Sequence, residues 1–110
     1  MNIQIFGSKK SFDSKKAERW FKERRIKFQY IDMDKYGISP GELKSVIRNV
    51  GLAAVLNSAD PDAALIEYLH PEEAKIEALI ERQYLINVPI VRNGAKATVG
   101  YTPDIWEKWS

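Results

Sequence analysis

The sequence contains no cysteine and a single histidine among its 110 residues. Without thiols there can be no disulfide, no Cys-ligated zinc, no iron-sulfur cluster and no thiol nucleophile. With His70 as the sole imidazole, a Ser-His-Asp triad would have to be built on that residue, and a His-rich metal site is excluded. No apolar run approaches the ~18 residues that a membrane-spanning helix needs. The opening Met1-Asn2-Ile3-Gln4-Ile5-Phe6 lacks the basic region and small-residue cleavage site of a signal peptide, which predicts a cytoplasmic protein. Net charge is also small, +2, and says nothing by itself about a partner.

What the chain does have is an ordinary globular composition, 45% hydrophobic and 29% charged, too apolar for intrinsic disorder. Its length suits one domain that buries on the order of two thirds of its unfolded surface. The charge is unevenly placed. Nine basic residues (Lys9, Lys10, Lys15, Lys16, Arg19, Lys22, Arg24, Arg25, Lys27) stand against Asp13, Glu18 and Glu23, so residues 9 to 27 carry +6 and the remainder −4. Such a stripe can attract phosphate or an acidic protein surface, or it can be a solvated helix face.

Residues 2 to 7 alternate and stop at Gly7, the pattern of a short strand. Ser11 or Asp13 can cap a following helix, whose apolar positions Ala17, Trp20 and Phe21 predict a span to about Arg25. Phe28, Tyr30 and Ile31 predict a second strand, completing a right-handed βαβ unit. Ser39-Pro40-Gly41-Glu42 combines a cap, Pro at the first helical position and Glu three residues on, and opens a helix with the stripe Leu43, Val46, Ile47 and Val50, ending at Gly51. Short helical pieces are expected over Leu52 to Leu56 and Asp60 to Leu69. Another helix opens at His70-Pro71-Glu72-Glu73 and buries Ile76, Leu79 and Ile80. Val88 to Val91 predicts a strand with Pro at its start, Asn93-Gly94 a hairpin, and Lys96 to Val99 the return strand. Asp104 to Trp109 reads as a terminal helix.

This order, βαβ, helices, then ββα, predicts an α/β fold with a four-stranded mixed sheet. Two halves of this kind, with Pro opening the third strand, resemble the thioredoxin fold. The stretch from Phe6-Gly7-Ser8-Lys9-Lys10-Ser11-Phe12-Asp13-Ser14 to Trp20-Phe21 is similar to the opening of the arsenate-reductase-related (ArsC/Spx-related) family. Val55-Leu56-Asn57-Ser58, Asn87-Val88-Pro89-Ile90-Val91 and Val99-Gly100-Tyr101 fall where that family has its middle loop, its Pro-led strand and its last strand end. The resemblance implies a single domain over residues 1–110, thioredoxin-like over about 1–36 and 86–110, with a helical insertion over about 38–84.

The departures from the family pattern carry the functional expectation. Ser11 stands where the family places its nucleophilic Cys, and Ser14 at the second redox position. A helix N-terminus activates a thiol, whereas a serine hydroxyl needs an adjacent base, and His70 lies in the inserted region at a helix start. Asn57, Val88 and Tyr101 occupy the positions of the arginines that hold the oxyanion in arsenate reductases. Arsenate reduction and glutathione-linked thiol reduction are therefore not expected, Ser11 and Ser14 are vestigial positions, and no cofactor or metal is implied.

Binding is what remains. The resemblance implies that Pro89 is cis. The loop before the first helix, with Lys9, Lys10, Ser11, Phe12, Asp13, Ser14 and Lys15, together with Tyr101, is a candidate site for a small anion, or Ser11 simply caps the helix. A protein partner is the other expectation. Spx grips RNA polymerase, and Gly51 matches one of its contact positions while Ala59 replaces the Arg of another. A non-thiol enzyme using Ser11, Lys15 and Tyr101 is a third reading. Trp20, Phe21, Trp106 and Trp109 at helical spacing read as packing residues, so direct nucleic-acid binding is not expected.

Overall fold

A computed structural model describes residues 1–109. Its elements are β1 (Ile3–Gly7), α1 (Phe12–Glu23), β2 (Phe28–Asp32), α2 (Pro40–Val50), α3 (Leu52–Val55), α4 (Ala64–Glu67), α5 (Glu72–Glu81), β3 (Ile90–Asn93), β4 (Lys96–Val99) and α6 (Pro103–Trp106). Single 3-10 turns cover Pro61–Ala63, Gln83–Leu85 and Glu107–Trp109. The sheet order is β2-β1-β3-β4, with β1 and β2 parallel and the other pairs antiparallel.

Strand alternation sends side chains to two separate cores. Ile3, Ile5 and Val91 pack with Ala17, Trp20 and Phe21 of α1 and with Trp106 of α6. Phe6, Ile90 and Ala97 face the other way, onto Leu43 and Val46 of α2, Leu79 of α5 and the rest of the inserted helices. The result is a helix-sheet-helix sandwich. In the first core the Trp106 indole N–H donates to Thr98 Oγ1 at 2.8 Å, both groups being buried.

Several element ends differ from the sequence expectation, each for a local reason. Helix α1 stops at Glu23, not Arg25, because Arg25 adopts φ 56. The Arg25 N–H bonds the Lys22 carbonyl and the Ile26 N–H the Phe21 carbonyl, both at 3.0 Å, which is a Schellman closure. A non-glycine residue takes the left-handed position there, with Ile26 packed into the same core as Phe21. Strand β3 starts at Ile90, because Pro89 follows a cis bond and has no N–H to donate; its carbonyl accepts instead from Gly100 at 2.8 Å. The hairpin loop is Gly94-Ala95, since Asn93 is still paired with Lys96, and Gly94 supplies φ 60. Ile80 is only half-buried on α5, and the terminal helix is one α-turn followed by a 3-10 turn.

Helix α2 has the expected ends. Ser39 and Glu42 form a reciprocal capping box, and Gly51 closes the helix at φ 86. A polar row crosses the sheet beneath it: Gln29 and Gln4 bond at 3.3 Å, and Arg92 Nη1 bonds Gln4 at 2.8 Å and Glu42 at 3.5 Å. Asn49 of α2 donates to the Ala95 carbonyl in the hairpin. The insertion is thus tied to both ends of the thioredoxin-like half.

Candidate functional site

Parallel pairing of β1 and β2 brings their carboxyl ends together, the place where α/β sheets present their binding crevices. The β1–α1 loop sits there and is held by its own serines. Ser11 has extended backbone and caps α1: its Oγ accepts from the Ser14 N–H at 3.1 Å. Ser14 is fully buried, and its Oγ accepts from the Ser8 N–H at 3.2 Å. The Ser8 hydroxyl donates to Asp34 Oδ2 at 2.7 Å and accepts from the Lys10 N–H at 3.2 Å. Gly7 admits no side chain, because a Cβ would lie 2.5 Å from Tyr30 Oη and 3.0 Å from Ser14. Burial, with Glu18, Asp32 and Asp34 nearby, holds the Tyr30 phenol above its ordinary pKa.

Beside this loop lies a cleft of about 560 Å³. Met33, Ile86 and Val88 form its apolar walls, and Ser8, Lys10, Asp34, Gln83 and Tyr84 its polar edge. Much of that edge is already engaged. The Gln83 carboxamide accepts from the Ile38 N–H and donates to the Ile38 carbonyl, both at 2.9 Å. The Tyr84 hydroxyl donates to Asp62 at 2.7 Å, a bond that raises the Tyr84 pKa. Lys10 and Asp34 are left as the charged groups of the rim, with no ion pair between them within 4.0 Å among the described residues.

Of the residues singled out in the sequence, Lys10 lines the cleft and Pro89 is buried next to Val88 with a cis bond. Lys9 and Lys15 are exposed, Asp13 pairs with Lys16 at 3.9 Å, and Phe12 is 82% exposed at the start of α1. Tyr101 is not a lining residue of this cleft; its ring packs on Trp106 and under Lys16. His70 is exposed on the insertion, also before a cis Pro, and lines no part of the cleft. Gly51 is accounted for by its backbone conformation. Ser8, Asp34 and Gln83 were not singled out, although the position of Asp32-Met33-Asp34 after a strand parallel to β1 was the available signal for Asp34.

Sheet order, the cis Pro before β3 and a helix starting beside it define a thioredoxin-like domain. No family model matches the sequence. Among solved structures, the fold is similar to the YffB (PA3664) protein, at 25% identity, 97% coverage of both chains and TM-score 0.80. It is also similar to an ArsC family related protein from Bacteroides fragilis (22% identity, 100% and 98% coverage, TM-score 0.84) and to an arsenate reductase from Vibrio cholerae (21%, 98% and 97%, TM-score 0.84). The chain therefore has the arsenate-reductase-related form of the thioredoxin-like fold, in a version without cysteine. In sequence it is also 31% identical, over 83 residues, to one of the subunits of an aspartyl/glutamyl-tRNA(Asn/Gln) amidotransferase from Chlorobaculum tepidum. That match covers 73% of this chain but only 17% of the length of the relative. No helix among the described residues is long and apolar enough to cross a membrane.

Proposed function

We propose that this chain is a redox-inactive binding protein, which uses the cleft beside the β1–α1 loop to hold a protein partner and performs no thiol chemistry. The observation that carries the reading is the use of Ser11. At the position where the resemblance puts a nucleophile, a serine hydroxyl accepts a hydrogen bond from the helix it caps, and neither a thiol nor an adjacent imidazole is there to replace or activate it. An exposed Phe12 and the apolar wall of Met33, Ile86 and Val88 suit a polypeptide segment better than a bare anion. A small anion is the secondary ligand class: the Phe12 and Asp13 amides open α1 and Lys10 is near, but Asp13 and Asp34 oppose it electrostatically.

Affinity capture from the native cell tests this with the wild type and with a rim-reversed Lys10→Glu/Asp34→Lys variant. A partner held by the former and lost by the latter supports the reading. An identical set of captured proteins, or none, overturns it. RNA polymerase subunits among the rim-dependent partners would favour the Spx-like alternative, and the likeness to part of a tRNA-dependent amidotransferase makes that assembly's components a second set to look for.

A further inference from the structure

The two charge-rich stretches of the sequence lie on opposite sides of the sheet. Residues 9 to 27, with +6, form α1 and its flanks, packed on the Ile3, Ile5 and Val91 side. Residues 57 to 81 carry Asp60, Asp62, Glu67 and the four glutamates of α5 against Lys75 alone, a net −6, and pack through Ile66, Ile76 and Leu79 on the Phe6 and Ile90 side. The two stretches carry equal and opposite charge; on the acidic side Lys44 and Arg82, from outside the stretch, pair with Glu73 and Glu81 at 3.2 and 3.9 Å, and on the basic side Lys16 and Lys22 pair with Asp13 and Glu18 of the same stretch. Lys9, Lys10, Lys15, Arg19 and Lys27 have no acidic group within 4.0 Å among the described residues, nor do Glu67, Glu72 and Glu77 have a basic one. Each side also shows apolar surface beside its charges. Tyr101, under Lys16, is 37% exposed on the basic side, and Leu65 and Tyr68 are 52% and 85% exposed around α4 on the acidic side.

We infer that copies of this chain associate head to tail, the α1 face of one molecule docking on the α4–α5 face of the next. The occupant of each face is a second copy because a surface of opposite charge, with its own apolar residues, is on the same chain. Two different patches on opposite sides make the contact heterologous, so each added molecule leaves one free face at either end and the assembly extends without closing as a two-fold dimer. The apolar residues supply the dry centre and the charges the rim and the steering. Screening must then govern it strongly. Charges act over about 30 Å at about 10 mM salt but only about 3 Å at about 1 M.

Sedimentation of the full chain as a function of concentration tests the inference. At low salt the weight-average mass should rise with concentration to at least double the 12.6 kDa of the monomer, and return to it in high salt. Lys15→Glu/Arg19→Glu and Glu67→Lys/Glu77→Lys change surface positions outside the two cores, so each variant should fold and each should stay monomeric at low salt. Mixed in equal amounts, the two variants retain one intact face each and should form a one-to-one pair that grows no further. A wild type that remains monomeric at low salt, variants that still self-associate, or a mixture that does not pair would overturn the head-to-tail arrangement.

Discussion

Removing the Ser11 hydroxyl separates a capping role from any other. In the structure, Ser11 Oγ is the acceptor for the Ser14 N–H at 3.1 Å, and Ser14 is fully buried, so Ser11→Ala leaves a shielded donor without a partner. Loss of an N-cap of this kind costs about 0.5–2 kcal/mol, and the burial of Ser14 puts the expectation near the upper half of that range. At about 4 °C per kcal/mol for a domain of this size, the melting temperature should fall by roughly 4–8 °C. Ser11→Asp keeps an acceptor and places a negative charge at the positive end of α1, so it should recover most of the loss. The neighbouring Ser14→Ala removes the acceptor for the Ser8 N–H at 3.2 Å and should cost about 1–3 kcal/mol. Urea titration of the four proteins gives the free energies directly. If Ser11→Ala matched the wild type, or if Ser11→Asp were no better than alanine, the hydroxyl would not be acting as a cap.

Other outcomes follow from the same geometry. Gln83→Ala removes both bonds to Ile38 and should cost about 1–3 kcal/mol in a urea titration. Gly37→Ala should destabilise further, since Gly37 sits at φ 70 and a Cβ would lie 2.5 Å from Gln83 Oε1; part of that penalty should vanish in the Gln83→Ala background. The Tyr30 phenol, held above its ordinary value chiefly by burial, favours its neutral form in the folded protein. Its contribution is therefore complete below the unfolded phenol pKa of about 10 and lost as pH rises beyond it. Tyr30→Phe should flatten the alkaline decline in stability, and an unchanged decline would place its cause elsewhere. A cysteine introduced as Ser11→Cys should titrate below the free-thiol value of about 8.5, because the start of α1 favours the thiolate; a normal titration would mean that the loop no longer presents the helix end to this side chain.

The legible parts of this fold were those encoded over a few residues. Ser39 to Glu42 announced the start of α2, Gly51 its end, and the alternation in residues 2 to 7 the first strand. The helix end falls short of Arg25 because the Schellman closure is fixed by Ile26 packing into the core that Phe21 shares with Ile3, Ile5 and Val91, a tertiary contact that charge patterning does not reveal. At the site, Ser11 could be placed next to a helix from sequence alone, and its two alternatives, cap or ligand donor, differ only in where Oγ points. Asp34 and Gln83 were hidden for another reason: they reach the cleft from elements 26 and 45 residues distant from the groups they bond. Only the crossing of β2 beside β1, and of the insertion back to β3, brings them to the loop.

Reduction assays on the purified chain bear most directly on the claim that this scaffold binds without thiol chemistry. With glutathione and glutaredoxin supplied, arsenate and a small mixed disulfide are offered as substrates and NADPH consumption is followed through glutathione reductase. Rates indistinguishable from a blank lacking the protein are predicted for both substrates, and turnover proportional to the amount of this protein would contradict the account.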